Sequence, residues 1–267
     1  MAKAECPKCH GTGWRTVETR GERGLTRKAT PCECSAASRA ETLLDRTRIP
    51  KRYLACDFEN FEADLPYDEP DVATWNLSLQ KAKVVVQGFA REYPNGRDRG
   101  LLLMGPCGVG KTHLAVAALR ELIARGHEGL FYDYRELLKE IQASYNPVSQ
   151  TSEMEVLEPV LKAEVLLLDD LGASKPSPWV LETVGHILNV RYNEKRATIL
   201  TTNFLDIDAA TRVTPRAWRE QATPRQDDSL TDRMGQRVRS RLYEMCASVD
   251  MISRDFRARE REASRRA

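Results

Sequence analysis

Between residues 100 and 202 the chain alternates short, unbroken apolar runs with longer stretches of mixed character. Gly100-Leu101-Leu102-Leu103-Met104 is one such run, and the apolar-rich segment Thr112–Ala124 after it has helical length. Leu130–Tyr134 reads as a second strand, Glu136–Tyr145 as a helix, Val165–Leu168 as a third strand, Pro178–Asn193 as a helix and Ala197–Thr202 as a fourth strand. Strands written as continuous apolar runs are buried on both faces. The alternation therefore predicts an α/β fold, a three-layer parallel sheet with helices on both faces. Residues 1–53 differ: they are rich in Gly, Thr, Arg and paired cysteines, show little apolar periodicity, and cannot bury a core of their own. Thr214–Asp228, rich in Pro, Arg and Gln, reads as a loop.

Composition adds limits. The 267 residues are 41% hydrophobic and 30% charged, with a net charge of +2, so there is no global pull toward nucleic acid or membrane. Local charge is uneven: residues 1–53 carry 12 Lys/Arg against 6 Asp/Glu, residues 54–71 carry 7 acids and no base, and the stretch from Arg233 onward carries 10 Arg against 5 acids. The expected division is a head (1–47), a body (48–250) and a basic tail (251–267). No apolar run approaches the ~20 residues of a membrane span. Met1–Cys6 lacks the apolar core of a secretory signal, which leads us to expect a cytoplasmic protein whose seven cysteines are thiols or metal ligands.

Gly105-Pro106-Cys107-Gly108-Val109-Gly110-Lys111-Thr112 fits G-x-x-x-x-G-K-[ST] and lies between a predicted strand and a predicted helix. Chance produces the pattern in roughly one chain in a hundred of this length. Glycines let successive N–H groups turn inward on phosphates at a helix N-terminus. Lys111 reaches the β/γ-phosphates of ATP and Thr112 offers a hydroxyl to Mg²⁺; His113 completes the candidate contacts, and Cys107 reads as a small filler. Val165–Leu168 runs straight into Asp169 and Asp170, placing two acids at the C-terminal edge of a buried strand. Asp169 is the candidate Mg²⁺ carboxylate and Asp170 the candidate base for the attacking water, against the plainer alternative of an acidic turn. Ala197–Thr202 likewise ends in Asn203, a candidate γ-phosphate sensor or simply a cap. Arg237, Arg239 and Arg241 crowd five positions; if helical, Arg237 and Arg241 share a face, either awaiting an anion held by a neighbouring subunit or forming a solvated basic helix.

Taken together, Ile49-Pro50-Lys51-Arg52-Tyr53, Phe58-Glu59-Asn60-Phe61, GPCGVGKTHLA, LLLDDLG, RYNEKRATILTTN and GQRVRSRL resemble the DnaC/DnaI/IstB group of AAA+ ATPases over about residues 48–245. The resemblance implies a P-loop AAA+ fold, a phosphate-binding Lys111, a metal and hydrolysis pair at Asp169 and Asp170, a sensor at Asn203 and an arginine finger at Arg241, with Arg237 as a second arginine. It also implies self-association, since such a finger acts in trans. Only 25 residues follow Leu242, too few for the helical lid of most AAA+ proteins, so a lid-borne sensor arginine is not expected. In loaders of this group a helix after the second strand lines a path for single-stranded DNA. The matching stretch is Tyr134–Tyr145, where Arg135 and Lys139 suit phosphates and Tyr145 suits base stacking, or where an ordinary surface helix carries its usual charges.

Cys6-Pro7-Lys8-Cys9 and Cys32-Glu33-Cys34 bracket 22 residues. Four thiolates suit tetrahedral Zn²⁺, which would supply the folding energy the head lacks. A redox pair or free thiols are the alternatives, and His10 is a possible replacement ligand. Cys6–Gly13 also resembles half of a DnaJ zinc module, from which the C-x-C pair departs. Cys56 and Cys246 read as core residues. Four functions compete: a loader whose head grips a replicative DnaB-type helicase, an IstB-like transposition helper, a small-molecule kinase, and a zinc adaptor with a dead nucleotide site. The loader is favoured because an independent metal-held head suits docking, and the intact Lys111, Asp169 and Asp170 disfavour the adaptor.

Overall fold

The computed structural model describes residues 6–21, 24–66, 70–96, 100–148, 150–205, 229–259 and 261. Thr214–Asp228, read as a loop above, lies outside them. Five parallel strands form the main sheet: β3 (Gly100–Met104), β4 (Gly129–Asp133), β5 (Val165–Asp169), β6 (Ala197–Thr202) and β7 (Ala247–Asp250), in the spatial order β4-β5-β6-β3-β7. Successive residues of a strand face opposite sides, and here both sides are core. Leu101, Leu103, Val165, Leu167 and Ile199 point into one cluster, whereas Leu102, Met104, Leu166, Leu168 and Leu200 point into the other. That is why these strands appear as unbroken apolar runs.

The first cluster is closed by α1 (Glu33–Arg46), α2 (Val72–Glu92) and α3 (Lys111–Ala124). The second is closed by α4 (Tyr134–Ser144), α5 (Glu153–Lys162), α6 (Pro178–Asn193), α7 (Leu230–Met234) and α8 (Gln236–Met245). α2 buries Val72, Leu79, Ala82, Val86 and Ala90, a helical stripe against α3. Arg191 of α6 is fully buried; it donates to the carbonyls of Val160 (2.8 Å) and Ala163 (3.0 Å) and to the Thr198 hydroxyl (3.0 Å), tying α5, α6 and β6 together.

Most boundaries fall within a residue of expectation, and the junction of β4 and α4 differs for a physical reason. β4 stops at Asp133, one residue before the predicted end, because the Asp133 carboxylate accepts from the Arg135 and Glu136 N–H groups and so starts α4 at Tyr134. The helix therefore begins two residues earlier than the pattern indicates. β7, α2 and α5 were not expected at all.

The head consists of a turn from Cys6, an antiparallel hairpin of β1 (Trp14–Gly21) and β2 (Gly24–Pro31), and α1. Leu43 and Leu44 of α1 pack on the body's first core, and the Phe131 N–H donates to the Thr47 carbonyl at 2.7 Å, so the helix that begins in the head ends seated against α3 and β4. Among the described residues no helix is long and apolar enough to cross a membrane.

Candidate functional site

The C-terminal ends of β3, β4, β5 and β6 meet at one edge of the sheet, where ligands bind in open α/β folds. β3 leads into the loop Gly105–Gly110, in which Gly108 (φ 78°) and Gly110 (φ 94°) take the left-handed conformation. A Cβ at Gly110 would stand 2.7 Å from the Phe61 ring, and one at Gly108 would stand 1.9 Å from an Asp255 carboxylate oxygen. Pro106 and Val109 are buried, Cys107 is exposed, and Gly110 opens α3. Lys111, itself buried, donates to the carbonyls of Gly105 (2.8 Å) and Pro106 (2.7 Å) and to Asn203 Oδ1 (2.7 Å). Burial among these neutral acceptors lowers its pKa to about 8.

Two hydrogen-bonded chains link this loop to the neighbouring strands. Thr112 Oγ1 (2.8 Å) and Thr201 Oγ1 (2.6 Å) both donate to Asp169 Oδ1, joining α3, β5 and β6. Asn203 Nδ2 donates to Asp170 Oδ1 at 2.5 Å while its oxygen receives Lys111, joining the other three groups. Asp170 has a left-handed backbone (φ 60°), held by its N–H donating to Thr201 Oγ1 at 2.9 Å. Burial raises the pKa of both acids; the Thr201 and Thr112 hydroxyls oppose it at Asp169, and the Arg135 and Lys111 charges oppose it at Asp170. His113 Nε2 lies 2.9 Å from the Asp57 carbonyl, and its ring meets Phe61 edge-on at 5.4 Å.

These residues line a cleft of about 740 Å³ whose other wall was not legible from motifs. The linker before α2 contributes Tyr53, Phe61 and Leu65, α2 contributes Trp75 and Leu79, and Asp133 stands beside Asp169 in sheet register. The tail adds Arg254, Phe256, Arg257 and Arg259. The tail is seated by main-chain bonds from Met251 N–H to the Met104 carbonyl (2.7 Å) and from Phe256 N–H to the Gly108 carbonyl (3.0 Å). Arg259 pairs with Glu62 of the linker, so tail and linker meet across the cleft. The positive charge of Arg257 acts on both Lys111 and Asp170. These arginines reach the cleft without a helical lid, within nine residues of β7, because β7 delivers the chain directly beside the phosphate loop.

The other predicted residues lie elsewhere. Arg237 and Arg241 sit on α8, the first exposed and the second half-buried, and neither lines the cleft of its own chain. Arg135 and Lys139 are exposed on α4, and Arg135 donates to the Ala173 carbonyl at 3.2 Å. Tyr145 is 49% exposed and forms an edge-on pair with Trp179 (6.3 Å), a residue the sequence did not single out. Cys56 and Cys246 are buried.

In the head, the sulfurs of Cys6, Cys9, Cys32 and Cys34 all lie within 4.8 Å of one another, with Cys6 to Cys32 at 3.7 Å and Cys9 to Cys34 at 3.4 Å. Tetrahedral Zn–S bonds of about 2.3 Å separate sulfurs by about 3.8 Å, so the four fit that ion without His10. The Lys8 backbone N–H leads in drawing the Cys6 thiol down to about 6, toward the thiolate a metal requires.

The chain is similar to known proteins over most of its length. The replicative helicase loader DnaC of Escherichia coli (strain K12) is 25% identical over 203 residues, covering 76% of this chain and 78% of that protein. The replicative helicase loader DnaI of Bacillus subtilis (strain 168) is 34% identical over 121 residues, 45% of this chain and 38% of that protein. A crystal structure of the DnaC helicase loader superposes with a TM-score of 0.58 at 28% identity, covering 76% of this chain and 99% of that one. A family model described as IstB-like ATP binding protein matches residues 25–263, from the head hairpin through the tail that closes the cleft, and the chain belongs to that family.

Proposed function

We propose that this chain is an ATP-hydrolysing loader of a replicative DnaB-type helicase. The observation that carries the reading is the pair of hydrogen-bonded chains, Thr112–Asp169–Thr201 and Lys111–Asn203–Asp170, which bring this chain's own phosphate, metal and hydrolysis groups to one end of the cleft. Lys111 exchanges neutral carbonyls for the β/γ-phosphates and regains its full charge. The Thr112 hydroxyl and Asp169 carboxylate are the oxygen donors for Mg²⁺, which when bound neutralises developing phosphate charge. Asp170 orients the attacking water and accepts its proton, and Asn203, bonded to both Lys111 and Asp170, reports the γ-phosphate to the hydrolytic base.

Arg241, with Arg237 beside it, serves the cleft of an adjoining copy, in keeping with its distance from its own. The Cys6, Cys9, Cys32 and Cys34 module holds Zn²⁺ and docks on the helicase. Single-stranded DNA runs along α4, its phosphates on Arg135 and Lys139 and its bases on the Tyr145–Trp179 pair. Support for the loader reading comes from the names of the relatives above, which are replicative helicase loaders.

Two experiments test it. Captured from its native cytosol, the tagged chain is expected to retain a hexameric helicase; retention of a transposase instead overturns the loader in favour of an IstB-like helper. Mixing Arg241→Ala, which keeps its own cleft, with Lys111→Ala, which keeps its finger, is expected to restore hydrolysis that neither shows alone. No recovery from intact assemblies rejects the arginine's action in trans.

A further inference from the structure

The four cysteines of the head differ in access. Cys32 is fully buried, Cys9 is 4% and Cys6 8% exposed, whereas Cys34, in the first turn of α1, is only half-buried. A small polar molecule arriving from solvent therefore meets the Cys34 sulfur first. Cys9 Sγ stands 3.4 Å from it. A disulfide is about 2.05 Å long, so joining the two asks for a shift of about 1.4 Å, within what rotation about χ1 supplies.

The motifs that carry these sulfurs face each other through bonds in which no sulfur takes part. Lys8, inside Cys6–Cys9, pairs with Glu33, inside Cys32–Cys34, at 2.5 Å, and Arg15 reaches the same side chain at 3.2 Å. The Cys32 N–H (2.8 Å) and the Ser35 hydroxyl (2.9 Å) both donate to the Gly13 carbonyl. The Lys8 and Arg15 charges beside the cluster favour thiolate, the form that attacks peroxides. At its other end α1 is held by Leu43, Leu44 and the Thr47 carbonyl, so a change in its first turn leaves the body in place.

We propose that Cys34 is an oxidation site through which hydrogen peroxide ejects the zinc, with Cys9 as the resolving cysteine. This rests on the zinc reading above. In the first step the Cys34 thiolate attacks one peroxide oxygen; the S–O bond forms, the O–O bond breaks, and the departing hydroxide takes a proton from solvent to become water. In the second the Cys9 thiolate attacks the Cys34 sulfur; the S–S bond forms, the S–O bond breaks, and a second hydroxide leaves and is protonated. Two electrons pass from two thiolates to one peroxide, two protons are consumed and two waters are produced. Zinc keeps only two of its four thiolates, and it departs. A cross-link then stands where the metal stood, and the docking module of the proposed loader responds to oxidant.

The test uses the full chain purified with zinc. A chromogenic chelator reports free metal during a hydrogen peroxide titration, and non-reducing peptide mapping locates the cross-link. Release of the zinc with Cys9 joined to Cys34 is expected, and thiol reductant with added zinc should restore the bound metal. Cys34→His keeps a nitrogen ligand for zinc while removing the attacking sulfur, and is expected to hold its metal and release it roughly tenfold more slowly. Cys9→His keeps a ligand but removes the resolving sulfur, and is expected to stop at a Cys34 sulfenic acid that dimedone traps. The exposed Cys107 is an internal gauge of oxidant strength. Wild-type protein that keeps its zinc after Cys107 has reacted overturns the proposal, as does a first cross-link between Cys6 and Cys32 or a Cys34→His chain that loses zinc at the wild-type rate. Untreated protein that holds no zinc overturns the zinc reading instead.

Discussion

Replacing Gly108 by Ala should release the tail from the phosphate loop, and its magnitude follows from two separable costs. The first is local: φ of 78° is left-handed, and an L-residue held there costs about 1–2 kcal/mol. The second is the collision of the new methyl with Asp255, whose carboxylate oxygen would lie 1.9 Å away. That cost is capped by what holds the tail down, because the tail can lift rather than compress. The hold comprises the Phe256 N–H bond to Gly108 and the part-exposed Arg259–Glu62 pair, together about 1–2 kcal/mol. Gly108→Ala is thus expected to lose about 2–4 kcal/mol, seen as a Tm lowered by roughly 4–16 °C in a protein of this size. Adding Asp255→Ala removes the collision and leaves the backbone strain, so the double variant should regain about 1–2 kcal/mol over Gly108→Ala. Thermal unfolding of the four proteins of this cycle, with limited proteolysis beyond residue 251 as a local readout, measures both costs. A Gly108→Ala chain with wild-type Tm and an unchanged tail cleavage pattern would refute the reasoning, and so would an Asp255→Ala change that fails to relieve it.

Further outcomes concern protons and metal. Near pH 8 about half of the unliganded protein lacks the Lys111 charge, so ATP binding should take up about half a proton there and almost none near pH 6; calorimetry in two buffers of different ionisation enthalpy reads this directly, and buffer-independent heats at pH 8 contradict it. By the same linkage the unliganded fold gains stability as pH rises from about 8 toward 10.5, since the unfolded chain keeps a proton the folded chain has lost. The head should carry one zinc per chain in protein purified without chelator, measured by metal analysis. Stripping it, or Cys32→Ser, should unfold β1, β2 and the start of α1 while leaving ATP binding by the body intact, because a two-stranded hairpin is marginal alone; a hairpin whose amide protection survives metal removal would count against this.

What the sequence by itself determined was whatever is written in consecutive residues. Strands buried on both faces show as apolar runs, and a phosphate loop needs its glycines, Lys111 and Thr112 in fixed order, so β3 to β6, the helices α3, α4 and α6 and the polar residues at the strand ends could be placed without coordinates. The four cysteines could be grouped because two close pairs leave few alternatives for their partners. Other features depend on residues distant in the chain. β7 is a four-residue strand with two polar positions, and only its pairing with β3 makes it one. The helix α1 presents few apolar positions, yet Leu43 and Leu44 gain their value from the core they reach. Arg254, Arg257 and Arg259 looked like a solvated basic tail until β7 turned that tail onto the phosphate loop.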